Sequence, residues 1–257
     1  MSRGLIVLLT DFGTRDWYVP VLKGVILSRA PSVRLVDLTH DVPPQDVLAG
    51  AFTLAATVPW FPKGTVFLCV VDPGVGSRRA LVAARADGWW FVAPDNGLLG
   101  LTLERAAEVS VVQLTNRRHW LKDISRTFHG RDIMAPVAAH LATGGSLSTL
   151  GPAVRHTAPL VMPRVLPRGR TAIGEVVHID AFGNLITNLE VLRWPAGRAT
   201  LRFHRRQVAV VSSYSEGQLG HLIAVVNSLG LYELAVREGS AAWTFNAKRG
   251  DKVEWSA

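Results

Sequence analysis

Two acidic residues directly follow apolar runs of the kind that form buried strands. Residues 66–71 are apolar and lead into Asp72, a Pro-Gly turn and then Arg79, while the mainly apolar run 5–10 leads into Asp11. Continuous apolar runs of this length are typical of strands covered on both faces, and open α/β sheets bind ligands at the carboxyl ends of such strands. Arg79 is close enough along the chain to fold back onto Asp72. Asp-Pro-Gly is also common turn chemistry, however, and many Asp–Arg pairs are structural.

Asp11 and His129 have both a chemical and a structural interpretation. The Asp11 carboxylate could accept hydrogen bonds from a ribose diol, as carboxylates do in nucleotide-binding folds, or it could stabilise a turn or a helix start. His129 comes just before a predicted helix, on a loop where its imidazole is accessible. A lone loop histidine is more often inert, so His129 gains interest only beside Asp72 and Arg79.

Three further loops carry polar or aromatic residues that could contact a small molecule. Asp180, Phe182 and Asn184 fall within five positions, and an aromatic ring can stack on a purine while an Asn amide matches the adenine edge. Ser228 follows another apolar strand, and Asn96 lies in an Asn-Gly turn. Each is an ordinary turn signature alone; the loops of residues 179–188 and 226–230 together indicate the walls of a small-molecule pocket.

The elements that must position these residues indicate an α/β protein with two domains. Strands alternate with helices through residues 1–155, which predicts an N-terminal α/β domain. Residues 144–170 are rich in Gly, Pro, Ser and Arg with few apolar runs, and residues 156–170 within them are predicted to form a linker. Residues 171–257 show short strands broken by glycine turns, which predicts a small C-terminal β-barrel or sandwich. Helices are expected over residues 18–27, 47–58, 98–107 and 132–142, with Asp16 and Asp46 as N-caps of the first two.

Composition favours a globular protein without disulfides. Hydrophobic residues make up 48% of the 257 residues and charged residues 19%, which predicts a large buried core. The single cysteine, Cys69, lies within an apolar strand and indicates a buried thiol. The apolar run that ends before Asp11 is too short for a membrane span, so we expect no membrane association and a cytoplasmic location.

The net charge of +8 raises the possibility of nucleic-acid binding. The basic residues are mostly scattered arginines without interleaved aromatics, so no nucleic-acid partner is expected. The sequence contains no G-x-G-x-x-G, Walker loop, paired-cysteine spacing, H-E-x-x-H or G-x-S-x-G. This weighs against dinucleotide, phosphate-transfer, zinc and serine-hydrolase chemistry, and no metal or cofactor is expected.

Five stretches, in order along the chain, resemble those of the S-adenosyl-L-methionine hydroxide adenosyltransferases, relatives of the bacterial fluorinase and chlorinase. They are Leu9-Thr10-Asp11-Phe12-Gly13-Thr14, Asp72-Pro73-Gly74-Val75-Gly76, Ala93-Pro94-Asp95-Asn96-Gly97-Leu98-Leu99, Thr127-Phe128-His129-Gly130-Arg131-Asp132 and Phe182-Gly183-Asn184-Leu185-Ile186-Thr187-Asn188.

The resemblance implies a fold, an assembly and a reaction. The fold is an N-terminal Rossmann-like α/β domain followed by a small C-terminal β-barrel. The assembly is a homotrimer with active sites between subunits. The reaction is hydrolysis of S-adenosylmethionine, in which water or hydroxide displaces L-methionine from the 5′ carbon and leaves adenosine.

Residue roles follow from the same motif matches. Asp72, Arg79 and His129 take the positions of the catalytic Asp–Arg–His set, and the halogenating relatives carry a tyrosine where this chain has Asp72. The implied substrate contacts are a ribose ligand at Asp11, adenine contacts at Phe182 and Asn184, and contacts to the methionine end at Asp180 and Ser228. Asn96 is a further candidate contact. Some relatives carry an arginine for the substrate carboxylate where this chain has Leu229.

Two hypotheses for proton transfer stay open at this point. In one, Asp72 and Arg79 orient the water while His129, whose ordinary pKa lies near neutrality, relays the proton; in the other, Asp72 is the base. An alternative function is a non-catalytic module that binds adenosine or S-adenosylmethionine. The presence of Asp72, Arg79 and His129 together favours the enzyme.

Overall fold

The computed structural model describes residues 4–155, 157–195 and 199–257, and the chain divides into two units, Met1–Val161 and Met162–Ala257. The first unit has the elements β1 (Leu5–Thr10), α1 (Tyr18–Arg29), β2 (Arg34–Thr39), α2 (Val47–Thr57), β3 (Val66–Val70), β4 (Leu81–Ala86), β5 (Trp89–Pro94), α3 (Gly100–Glu104), β6 (Val109–Gln113) and α4 (Ala135–Ala142). The second unit has β7 (Leu166–Arg168), β8 (Thr171–Ile179), β9 (Leu185–Glu190), β10 (Thr200–Phe203), β11 (Arg206–Val210), β12 (Leu222–Val226), β13 (Leu231–Val236), α5 (Ala241–Thr244) and β14 (Lys252–Ser256).

The first unit is built on a mixed sheet with strand order β2-β1-β3-β5-β4-β6. Strands β2, β1, β3 and β5 are parallel, whereas β4 runs antiparallel to both of its neighbours. Thr10 pairs with Val70 at the carboxyl ends of β1 and β3. Asp11 and Asp72, which follow these strands, therefore emerge at the same edge of the sheet.

Both faces of this sheet are covered by helices, which explains why its strands are continuously apolar. Ile6 and Leu8 pack into the cluster that contains Leu22 of α1 and residues of α4. Val7 and Leu9 point to the opposite face and pack with Leu54 of α2. Each fully buried side chain of this size contributes about 1.5–3 kcal/mol relative to leaving it exposed.

The second unit is a closed β-barrel. Among its described residues, seven strands form a ring in the order β8-β9-β13-β12-β11-β10-β14, closed because β14 pairs with β8 as well as with β10. Strand β7 adds to the side of β8. Tyr232, Phe203 and Leu234 fill the interior. Closure removes free strand edges, so of the two predicted arrangements the barrel is confirmed.

Of three local predictions, two are wrong and one is confirmed. The helix predicted over 98–107 covers only Gly100–Glu104, because Leu98 belongs to a turn in which its amide donates to Asn96 Oδ1. Asp46 caps α2 as predicted, with its Oδ1 accepting from the Ala49 amide at 3.0 Å. Asp16 is not the N-cap of α1, since the helix begins one residue later and Trp17 takes that position without a side-chain bond.

The predicted 156–170 linker contains strand β7, and its first residue lies outside the described ranges. The Rossmann-like description of the first unit stays a prediction. Across the described ranges, none of the helices has the length and apolar content that crossing a membrane requires.

We predict that Gly151→Ala destabilises the protein by about 2–4 kcal/mol. Gly151 has a φ of +154°, and an added Cβ would lie 2.0 Å from the Gln113 carbonyl oxygen. The matched control is Gly24→Ala in the exposed middle of α1, where nothing lies within 4 Å of the added Cβ; it should stabilise by about 0.5–1 kcal/mol. Urea unfolding of both variants measures the two changes, and equal stabilities would contradict the analysis.

Candidate active site

Asp72, Arg79 and His129 form one hydrogen-bonded array at the carboxyl edge of the first unit's sheet. Arg79 Nε donates to Asp72 Oδ1 at 2.7 Å and to Oδ2 at 2.8 Å, and Arg79 Nη2 also donates to Oδ2. The same Nη2 lies 3.0 Å from His129 Nδ1. The Asp72 and Arg79 side chains are only 7% and 10% exposed. The structure thus brings together the three residues predicted to be catalytic.

The loop between Asp72 and Arg79 is folded tightly enough to turn the arginine back onto the strand end. Val75 N donates to the Asp72 carbonyl, and the Ser77 hydroxyl accepts from the Arg79 amide at 3.2 Å. Gly76 has a φ of +80°, and a Cβ there would lie 2.7 Å from the Arg126 carbonyl oxygen. Glycine is therefore required where this loop passes the segment that leads to His129.

His129 is held by the start of the helix that follows it. It precedes one π-helical turn, Gly130–Met134, which continues into α4 with Pro136 in the first turn. The buried Asp132 carboxylate accepts from the Ser125 amide at 2.7 Å and from Arg131 Nε at 2.6 Å. These bonds fix both sides of the loop, and π-helical turns are frequent at functional sites.

The charge on this array favours a neutral histidine. Burial and, next, the Arg79 guanidinium lower the pKa of His129 below its ordinary value. Arg79 can only donate, so His129 Nδ1 must be the acceptor and the ring proton is on Nε2. A second proton on Nδ1 would place two N–H groups against each other. The array thus holds a carboxylate, a guanidinium and an imidazole N–H donor side by side.

Asp11 lies in the same cleft as Asp72 and His129. This cleft has a volume of about 280 Å³ and also contains Gln45, whose backbone N–H donates to Asp11 Oδ2 at 2.8 Å. Burial is the main cause that raises the pKa of Asp11, and the nearby Asp72 carboxylate raises it further. A carboxylate has about four lone-pair sites, so Asp11 retains the capacity to accept from a ligand hydroxyl.

The cleft has an aromatic wall that the sequence interpretation missed. Phe12, Tyr18 and Phe128 line it and contact one another, with ring-centroid distances of 5.2 to 5.9 Å. The available signal was adjacency, since Phe12 follows Asp11 and Phe128 precedes His129.

Asn96 uses its amide within the protein. Its Nδ2 donates to the Val71 carbonyl at 2.9 Å, and its Oδ1 accepts from the Leu98 amide at 3.2 Å. Val71 immediately precedes Asp72, so Asn96 fixes the strand end that presents the carboxylate. The direct substrate contact suggested for Asn96 stays a prediction.

The second unit has a cleft of its own, of about 590 Å³, which contains Asp180, Phe182 and Asn184. Asp180 Oδ1 accepts from the Phe182 and Asn184 amides at 2.9 and 2.8 Å, and its Oδ2 accepts from Asn184 Nδ2 at 3.0 Å. These bonds leave Phe182 79% exposed at the cleft. Tyr214 lines the same cleft and donates to the buried Glu233 at 2.5 Å.

Ser228 lies on an exposed turn of the second unit. Asn227 Oδ1 shapes this turn by accepting from the Leu229 amide at 3.0 Å and the Leu231 amide at 3.1 Å. The Leu229 amide is therefore already bonded, so it is a poor substitute for the arginine that some relatives carry at this position. Arg237, which lines the second unit's cleft, provides a guanidinium there.

No metal centre is evident: within residues 4–155, 157–195 and 199–257 no three His, Cys, Asp or Glu side chains cluster as metal ligands would. The fold and the site define a two-unit α/β and β-barrel protein with an acid–guanidinium–imidazole array at a sheet edge.

The family follows from comparison with known proteins. Residues 6–151 match the model of the SAM hydroxide adenosyltransferase N-terminal domain, and residues 174–254 match that of the C-terminal domain. The chain belongs to the SAM hydroxide adenosyltransferase family, where SAM is S-adenosyl-L-methionine.

Individual relatives agree with this assignment. The chain is 41% identical to an (R)-S-adenosyl-L-methionine hydrolase of Salinispora tropica, over 96% of both chains. It is 40% identical to one of Thermus thermophilus, over 96% of this chain and 98% of the relative. A fluorinase of Actinoplanes sp. is 28% identical over 96% of this chain and 95% of its own. The crystal structure of an uncharacterized conserved protein from Thermotoga maritima superposes with a TM-score of 0.90 at 35% identity, covering 98% of this chain and all of that one.

We predict that Arg79→Gln raises the pKa of His129, because it removes the cation beside the ring while Asp72 and Asp132, which both favour the charged form, remain. Nitrogen NMR of the imidazole across a pH titration measures this pKa and also identifies the Nε2–H tautomer in the unchanged protein. Arg118→Gln, at an exposed turn, is the matched control and should leave the value unchanged. A lowered or unaltered His129 pKa in Arg79→Gln would refute the described contact.

Proposed function

We propose that this protein hydrolyses S-adenosyl-L-methionine to adenosine and L-methionine. The observation that carries the proposal is the Asp72–Arg79–His129 array at the carboxyl edge of the sheet, in which one guanidinium bonds both the carboxylate and the imidazole. It is supported by family membership and by relatives named (R)-S-adenosyl-L-methionine hydrolase at about 40% identity over nearly the whole chain. Asp72 stands where the family's halogenating members carry a tyrosine, so water is the expected nucleophile.

The reaction needs a positioned water more than an acid. The water oxygen attacks the 5′ carbon in line with the C–S bond, whose electron pair leaves with the sulfur, so methionine departs as a neutral thioether. Holding the water in line with the C–S bond can lower the activation free energy by several kcal/mol, with an upper limit of roughly 7–11 kcal/mol. The aromatic wall of the cleft suits a sulfonium, because the faces of Phe12, Tyr18 and Phe128 carry negative electrostatic potential.

In this proposal the proton goes to Asp72 rather than to His129. Since Nδ1 of His129 accepts from Arg79, neutral His129 has only an N–H to offer a water molecule, and it acts as a donor that orients the oxygen. Asp72 accepts from Arg79 at both oxygens but retains further lone pairs, so it takes the proton that water loses on attack. Arg79 holds the carboxylate in place for this transfer.

The proposed substrate contacts come from both units. Asp11 binds the ribose diol through its free lone pairs, and Asn96 contributes by fixing the end of the strand that presents Asp72. Phe182 stacks on adenine, Asn184 reads its edge, and Asp180 and Ser228 hold the methionine end. No metal or cofactor enters the proposal.

We also propose that the protein acts as a homotrimer with its sites between subunits, in the cytoplasm. The strongly exposed Phe182 and Trp243, at 79% and 86%, support an assembly in which these rings are covered. We propose further that the N-terminal domain is Rossmann-like, so that its sheet binds the ligand at the carboxyl ends of its parallel strands.

Asp72→Asn and His129→Ala should each lower turnover of S-adenosylmethionine by about a hundredfold or more, since each removes a group that contacts the reacting water. Chromatography of the products, with and without chloride, measures this. In the unchanged protein adenosine and methionine should form under both conditions. Asp41→Asn, at an exposed loop, is the matched control.

Three outcomes would count against the proposal. Normal turnover in both variants would remove the assigned residues from the mechanism, and a 5′-chloro product would show that Asp72 does not exclude halide. Tight retention of adenosine by the unchanged protein without turnover would favour the binding module instead.

Mixed assemblies test whether sites lie between subunits. Asp72→Asn alters the first unit's part of the site and Phe182→Ala the second unit's part, so each homomer should have low activity. Co-refolded mixtures should regain activity if one chain supplies Asp72 and its neighbour supplies Phe182. Mixtures that match the average of the two homomers would show that each site belongs to a single chain.

A further inference from the structure

A second cavity lies at the amino edge of the first unit's sheet, opposite to the edge that carries Asp11 and Asp72. It is formed where β4 ends at Ala86, where β5 begins at Trp89, and where α2 gives way to the following turn. Its volume is about 180 Å³. An apolar cavity of roughly 150 Å³ can hold a benzene molecule, so this one accommodates the side chain of a large apolar amino acid.

Most of the cavity wall is apolar. The apolar lining residues are Ala55, Val58, Pro59, Ala86, Trp89 and Ala106. Trp89 is fixed in place, since its Nε1 donates to the Phe61 carbonyl at 2.9 Å and Lys63 Nζ lies 3.1 Å from the centroid of its ring. The wall is therefore preformed rather than dependent on a ligand.

One buried polar group in the wall has no partner. Thr102 is only 8% exposed, and its hydroxyl makes no hydrogen bond to any residue that the structure describes. A buried hydroxyl without a partner is costly, and a threonine in a helix can usually bond a preceding carbonyl. A polar or polarizable ligand atom in the cavity would supply the missing partner.

The solvent side of the cavity carries one group of each charge. Asp87 accepts from the Ala107 and Glu108 amides, and these bonds lower its pKa, so it is ionised at neutral pH. Arg105 is exposed, and its guanidinium has no hydrogen-bond or ion-pair partner in the described part of the chain. An acid and an unpaired guanidinium beside an apolar cavity match the α-ammonium, the α-carboxylate and the side chain of an apolar amino acid.

We propose that this cavity is a binding site for a free apolar α-amino acid, with its carboxylate on Arg105, its ammonium on Asp87 and its side chain between Ala55, Ala106 and Trp89. A thioether sulfur is a weak hydrogen-bond acceptor, so methionine would also satisfy the Thr102 hydroxyl. Only the choice of L-methionine as the first probe rests on the proposed function; the site itself does not.

The test is an NMR titration of the full chain with L-methionine, in the absence of S-adenosylmethionine, observing the indole of Trp89 and the methyl groups of Ala55 and Ala106. We expect saturable shifts at these three positions. Arg105→Gln should weaken this binding about three- to fivefold, as expected for an exposed charge pair. Arg34→Gln, another exposed arginine, is the matched control.

Two further variants separate binding from folding. Ala106→Leu should abolish the shifts by filling the cavity, while an unchanged far-ultraviolet circular dichroism spectrum shows that the fold is intact. Thr102→Val retains the shape without the hydroxyl, so the ligand-free protein should become more stable while methionine binds a few-fold more weakly.

The proposal is overturned if methionine, leucine and phenylalanine all fail to shift Trp89, or if Arg105→Gln and Ala106→Leu bind as the unchanged protein does. Shifts confined to Asp180, Phe182 and Ser228 would also overturn it while supporting the proposed hydrolysis, because methionine would then occupy only its product site. Absence of hydrolysis with intact shifts at Trp89 would leave this site standing and remove the proposed function.

Discussion

The bidentate contact between Asp72 and Arg79 is the interaction on which the site depends. An exposed ion pair contributes about 0–1 kcal/mol, but these side chains are nearly buried, and removing one partner of a buried pair costs roughly 3–5 kcal/mol because the other charge is left uncompensated. The guanidinium also fixes the tautomer of His129. One arginine therefore determines the position of the Asp72 carboxylate and which nitrogen of the His129 imidazole carries the proton.

The other elements of the first unit position the contact between Asp72 and Arg79 at the edge of the sheet. Helices on both faces bury β1 and β3, and the register between these strands brings Asp11 and Asp72 out side by side. Asn96 fixes the carbonyl just before Asp72, and Asp132 fixes the loop that carries His129. Helix α2 begins just after Gln45, whose backbone N–H donates to Asp11. The carboxyl end of α2 reaches the cavity at the opposite edge of the sheet.

The sequence predicted those features that depend on local pattern. Apolar runs that end at an acid were enough to place Asp11 and Asp72 at strand ends, and Arg79 is only seven positions from its partner. His129 lies 50 positions from Arg79, so its place in the array came from the family resemblance and not from spacing. The bond from Asn96 Nδ2 to the Val71 carbonyl could not be foreseen, because the two residues are 25 positions apart. Closure of the barrel likewise depends on pairing between β8 and β14, which lie near the start and at the end of the second unit's sequence.

The most direct test of the central claim is hydrolysis of S-adenosylmethionine in water enriched in oxygen-18, with mass spectrometry of the products. Attack by water at the 5′ carbon predicts that the label appears in the 5′ hydroxyl of adenosine and that methionine is released unlabelled. Homoserine together with methylthioadenosine, or adenosine without the label, would contradict the account, because the water held by Asp72, Arg79 and His129 would not then be the nucleophile at that carbon.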